Sequence, residues 1–235
     1  MIPEIDLTRV VPSSYVRLLG SAPMYNDSEC SAPDKLFANR FYDECSPLTP
    51  SALGLLVQEL VRGKDFIDVG CGKGDIIRNL AKMYGARSYI GVDSEDYFNH
   101  SNELKTFVNI SSEINRLREE GCVKVIKREI DNEFKSTWVV DDLLYFVSKM
   151  KCSEGTVFFA SGLQITDWMR REAVVFPVWE SYFDALYDEL ARVSVVGDAV
   201  IINCCQDLNG AKLLERGFRQ DNLVEKKSLE IFVRI

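Results

Sequence analysis

Residues 65–75 read DFIDVGCGKGD, an apolar run that breaks into glycines and then turns polar. Phe66, Ile67 and Val69 have the composition of a short parallel strand buried on both faces. The run ends at Gly70-Cys71-Gly72-Lys73-Gly74, and from Asp75 to Leu80 the apolar spacing is helical. A strand, a glycine turn and a helix start form a ligand-binding corner. Glycine lets a ligand come close to the main chain, and the first N–H groups of a helix have no partner within it.

The neighbours of the glycines narrow the choice of ligand. A dinucleotide fingerprint requires a third small residue where the helix packs beneath a pyrophosphate. Counted from Gly70 and Gly72, that place is held by Asp75, and Asp68 adds a second negative charge. A P-loop is excluded, because no Gly-Lys-Ser/Thr follows at the required spacing. Two acids around a glycine turn suit a ligand with an ammonium and a sulfonium better than one with phosphates.

With an acid, x, Gly, x, Gly, x, Gly series at Asp68, Gly70, Gly72 and Gly74, the stretch resembles the first motif of the class I S-adenosylmethionine-dependent methyltransferases. The resemblance implies an α/β fold, a Rossmann-like three-layer sandwich. Its sheet would be seven-stranded, mostly parallel and closed by a C-terminal antiparallel hairpin. It also implies S-adenosyl-L-methionine as cofactor, held by Asp68, Gly70, Cys71, Gly72 and Gly74. A second match lies about 20 residues further on, where residues 88–93, SYIGVD, read as the next strand and end in an acid. In the family resembled, that acid takes the ribose hydroxyls, which assigns the role to Asp93 with Ser94 beside it. Read without the resemblance, Asp93 is equally a strand-end residue capping a following helix.

Bulk properties agree with one α/β domain and a modest appendage. The chain has 235 residues, 46% hydrophobic and 27% charged, ordinary for a globular protein. No apolar run approaches the ~18 residues of a membrane span. The start, MIPEIDLTRVV, lacks the basic and apolar regions of a secretory leader. Seven cysteines, an odd number without a C-x-x-C pair, and a single histidine give no zinc pattern. They read as reduced thiols in a cytoplasmic protein. A net charge of −8 argues against a general affinity for nucleic acid.

Residues 1–50 carry Pro3, Pro12, Pro23 and Pro33 and read as an N-terminal lid or extension; residues 51–235 read as the cofactor-binding domain. Phe37, Phe41 and Tyr42 either wall off the site or pack on the sheet, and Arg40 is placed to meet the methionine carboxylate in the first case. Thr49 or Ser51 caps a helix over 51–62. Further helices are expected over 75–84, 102–120, 139–150, 177–193 and 211–216. Strands are expected at 123–126, 156–160 and 199–202, with a closing hairpin from 218–223 and 228–235.

The family resembled places an acid just past strand three against the adenine amino group. With strand three at 123–126 that residue is Glu129, followed by apolar Ile130, with Asp131 as second choice. The tip of strand four faces the transferable methyl in such a fold, so Ser161 and the segment after it line the acceptor site. Trp168, Phe176 and Trp179 shape an apolar acceptor pocket there or belong to the core. A Pro-Pro-Tyr segment, as carried by adenine- and glutamine-methylating members, is missing. No catalytic residue and no metal ligand is nominated. The expected reaction moves a methyl group to an O, N or S nucleophile, with a small-molecule acceptor ahead of a protein lysine. A catalytically silent cofactor-binding module remains the other reading.

Overall fold

The computed structural model describes residues 9, 41–43, 45, 51–71, 74–93, 124–131, 134–141, 143–151, 155–161, 176–203, 209–221 and 229–235. The first full helix, α1 (Ala52–Val61), starts at Ser51, whose hydroxyl accepts from Gly54 N at 2.9 Å. Then come β1 (Asp65–Val69), α2 (Asp75–Met83), β2 (Ser88–Asp93), β3 (Lys124–Asp131) and β4 (Phe134–Val140). They are followed by α3 (Leu143–Lys149), β5 (Thr156–Ser161), α4 (Phe176–Val193) and β6 (Ala199–Asn203). The chain ends in α5 (Ala211–Leu214), β7 (Phe218–Gln220) and β8 (Leu229–Arg234).

All eight strands join one sheet in the order β3-β4-β2-β1-β5-β6-β8-β7. The run from β4 to β6 is parallel, whereas β8 opposes β6 and β7 opposes β8. Counted without β3, the order is 3-2-1-4-5-7-6. That is the Rossmann-like class I methyltransferase fold. No described helix is long and apolar enough to cross a membrane.

One element differs from the sequence expectation and moves a site with it. The third parallel strand is β4, not residues 123–126. Residues 124–131 instead form an added edge strand that runs antiparallel to β4, with Asp131 paired to Phe134 and Lys124 to Val140. The helix expected over 139–150 therefore begins only at Leu143. Val139 fits a helical face as well as a strand, and apolar periodicity alone cannot separate the two in so short a run. Pairing with β2 decides it, through Ser88↔Lys135 to Asp93↔Val140.

Because successive residues of a strand point to opposite faces, the sheet divides the core in two. On one face Ile67, Val69, Ile90, Val92, Phe158, Ala160, Val200 and Ile202 pack under α3, α4 and α5. On the other, Phe66, Tyr89, Trp138, Val157, Phe159 and Ile201 pack under α1, α2 and the helical residues 41–43. Phe41 belongs to this second core, its ring 4.7 Å from that of Phe159. It packs on the sheet, the second of its two sequence readings.

On the opposite face Arg9 reaches α4. Glu189, buried on α4, accepts two hydrogen bonds of 2.7 Å from Arg9 and one of 2.6 Å from Arg192. Arg192 in turn donates to the carbonyls of Val147, Ser148 and Met150 at the end of α3, where a cation also complements the helix dipole.

Candidate functional site

The carboxyl ends of β1, β2 and β4 meet the start of α2. Ligands bind at this end of an open α/β sheet. Asp68 lies on the face covered by α2, paired to Gly91 of β2 on one side and to Phe159 of β5 on the other. Gly91 is paired in turn to Trp138 of β4. The row across the sheet thus reads Trp138, Gly91, Asp68, Phe159, with a gap at the glycine.

Tyr89 fills that gap. It precedes Gly91 by two residues on the same face, and its hydroxyl donates to Asp68 Oδ2 at 2.7 Å. Its ring is held by Phe66 at 6.4 Å and by Trp138 at 5.6 Å. Such pairs add about 0.5–1.5 kcal/mol each beyond the area they bury. A side chain at Gly91 would put a Cβ 2.7 Å from Cys71 Sγ and 3.1 Å from the Tyr89 hydroxyl. At Gly74 it would collide with that hydroxyl and come within 3.0 Å of Trp138 Nε1. Gly74 also sits at φ +68°, a left-handed conformation that other residues adopt at a cost. It caps α2 without a side chain, so the first N–H groups of that helix receive no capping hydroxyl or carboxylate.

The loop is stitched to the end of β2. Gly70 N and Cys71 N both donate to Val92 O, at 2.8 and 3.2 Å. At the next strand end, Asp141 N donates to Asp93 O at 3.0 Å. This holds the tips of β2 and β4 together and leaves two acids side by side, Asp93 partly exposed and Asp141 buried.

Electrostatics follow from burial. Desolvation pushes the Asp68 carboxyl up to about 8, and the Asp93 charge pushes the same way; the Tyr89 hydroxyl bond opposes both. Burial, then Asp93 and Asp68, push the Cys71 thiol up. Burial and the Asp68 charge push the Tyr89 phenol up. Every one of these shifts disfavours negative charge at the corner, which is the condition a cationic ligand relieves.

Of the residues expected at the site, Asp68, Gly70, Cys71, Gly74 and Asp93 come together here. Gly72 and Ser94 lie outside the described residues, as do Phe37, Arg40 and Trp168. Glu129 and Ile130 are not among the residues brought together here. They lie inside β3, paired to Ser136 and Lys135 toward the amino end of β4, away from the strand tips. Because β4 is the third parallel strand, the acid just past it is Asp141. Ser161 ends β5, paired to Asn203 of β6, whose amide nitrogen donates to the Ser161 hydroxyl at 2.9 Å.

Sequence reading missed Tyr89, Gly91, Trp138, Asp141 and Asn203. One signal was present, since a lone glycine inside a strand pattern marks close approach of another group. Nothing local indicated that the approaching group is a tyrosine hydroxyl.

No family profile matches this chain, and no curated protein matches it. Solved structures of similar outline include a TehB-like SAM-dependent methyltransferase from Corynebacterium glutamicum, 14% identical, covering 86% of this chain and 98% of that one, with a TM-score of 0.39. Magnesium protoporphyrin IX methyltransferase from Synechocystis PCC 6803, with bound SAM, is 13% identical over 91% of this chain and 86% of that one, TM-score 0.43. Monomeric WbdD is 16% identical over 83% of this chain, TM-score 0.45, and the match spans 44% of the WbdD chain.

Proposed function

We propose that the corner binds S-adenosyl-L-methionine and that the protein transfers its methyl group to an O, N or S nucleophile. The observation that carries the reading is Asp68. A carboxyl is buried directly beneath a glycine turn and an uncapped helix start, with further acids at Asp75, Asp93 and Asp141. A diphosphate at this position would face four carboxyl groups; an ammonium and a sulfonium would be favoured by them.

When bound, the cofactor supplies an electrophilic methyl group on sulfur. The protein's task is to hold, orient and exclude water. Asp68 would take the ammonium and Asp93 the ribose hydroxyls. Asp141, in the place first assigned to Glu129, would accept from the adenine amino group. Ser161 and Asn203, at the tips of β5 and β6, would border the acceptor. A small-molecule acceptor is preferred to a protein lysine because the chain is acidic, with a net charge of −8.

Calorimetry with S-adenosylmethionine, S-adenosylhomocysteine and NAD in parallel tests the cofactor. Binding of the two sulfur nucleosides without NAD is the expected result, and binding of NAD alone would end the proposal. A labelled methyl donor offered with amines, phenols, thiols and peptides then tests transfer. Label passing to none of them, with the cofactor still bound, would select the silent-module reading.

A further inference from the structure

We propose that Tyr89 is a positioning residue for Asp68, and that the two form a proton-releasing receptor for the ammonium group of the ligand. When the cation arrives, the Asp68 carboxyl gives its proton to solvent, and the Tyr89 O–H, still donating, holds the new carboxylate in place. The inference rests on the cofactor reading above and goes beyond it, to how the site manages its own charge.

Geometry carries it. The Tyr89 hydroxyl reaches Asp68 across Gly91 and beneath Gly74, and each glycine leaves room that a Cβ would take from it. These glycines therefore serve the buried hydroxyl as well as any ligand. Among the described residues, the groups around the pair supply the carboxyl with no cation. From β2 there is Asp93 and from the start of α2 Asp75, both acidic, and from the loop Cys71, whose thiol is pushed up and carries no charge. β5 contributes Phe159, and β4 contributes Trp138, neither of which ionises. Arg78, also on α2, is directed to Ser136 Oγ at 2.8 Å and lies over the rings of Phe134 and Trp138. Among the described residues no lysine or arginine forms an ion pair with Asp68. A carboxyl so placed keeps its proton until a cation is supplied. Its displacement to about 8 agrees with that state.

The test is titration of the full chain with S-adenosylhomocysteine between about pH 6 and 8, in paired buffers of different ionisation enthalpy. Affinity should rise by up to about tenfold per pH unit, with close to one proton released per ligand at pH 7. Asp68→Asn should flatten the profile. Tyr89→Phe keeps the ring in its stack but removes the bond that favours the ionised carboxyl. The rise should then shift to higher pH, with roughly tenfold weaker binding at pH 7. A purely structural role for the hydroxyl would leave the profile where it was, so a Tyr89→Phe curve superimposed on wild type overturns the proposal. The proton count on wild type needs no variant, and a count of zero overturns it as well. Tight binding that ignores pH sinks the receptor alone, whereas no binding at any pH removes the cofactor reading and the receptor with it.

Discussion

Asp65 and Asp68 stand three residues apart on β1, both buried, yet their surroundings treat them in opposite ways. Asp65, at the amino end, receives both arms of the Arg87 guanidinium at 2.9 and 2.6 Å and the Ser88 hydroxyl at 2.6 Å. Its charge is matched within the fold. Asp68, at the carboxyl end, receives one neutral hydroxyl and faces other acids. A carboxylate with a structural task is folded together with its cation, because an unpaired buried charge is costly. One that meets no cation among the described residues, at the carboxyl end of the sheet, is suited to receive its cation from outside. Asp198 resembles Asp65 in this respect. It accepts three backbone N–H groups, from Gly155, Thr156 and Val195, with Lys64 nearby, and it serves the joints at the amino ends of β5 and β6.

The contrast can be broken by exchanging the two residues' fates. Asp68→Asn should weaken binding of S-adenosylhomocysteine at pH 8.5 by about 3 kcal/mol, on the order of 100-fold, by removing a charge-assisted contact. The melting temperature should stay level or rise, because a desolvated ionisable carboxyl is gone. A fall in stability with intact affinity would place Asp68 among the structural acids. Asp65→Asn should do the reverse, costing about 2 kcal/mol in urea unfolding while leaving the ligand constant within about twofold.

Stability against pH sharpens the difference. Folded Asp68 holds a proton up to about 8, whereas in the unfolded chain the carboxyl loses it near its ordinary value of about 3.9. Its contribution is therefore complete below about pH 4 and is lost as pH rises through about 8. Relative to Asp68→Asn, the unliganded wild type should lose up to about 1.4 kcal/mol per pH unit in that window. Asp65→Asn should retain the slope. Parallel curves for wild type and Asp68→Asn would argue that the carboxyl ionises normally. The smallest effect is expected for Arg87→Lys, which keeps the charge but loses the fork on a half-exposed side chain. Under about 1 kcal/mol should be lost, with no change in ligand binding.

How much of this was legible in the chain depends on the range of each signal. The turn after β1 and the alternation of the closing strand are patterns within a few residues, and they were readable; the helix cap was narrowed to Thr49 or Ser51, and the structure selects Ser51. Phe134–Val140 was not readable. Its apolar end runs toward Leu143–Lys149 with no change of period to mark the boundary, so the acid just past the third strand was read as Glu129, whereas the acid just past β4 is Asp141. Tyr89 was overlooked for a different reason: an aromatic residue in a buried strand ordinarily means packing. Only its hydroxyl's partner, on the neighbouring strand, gives it a further role.

By itself, the sequence determined that a strand would break into a glycine corner flanked by acids. It also determined that strands and helices would alternate around that corner, because backbone freedom and apolar spacing are local properties of the residues that carry them. Only the tertiary structure decided which segment lies beside β2, which acid stands at its tip and which hydroxyl meets Asp68. Those depend on register between strands far apart in the chain, where many pairings satisfy the same local pattern and the packing of the whole sheet selects one.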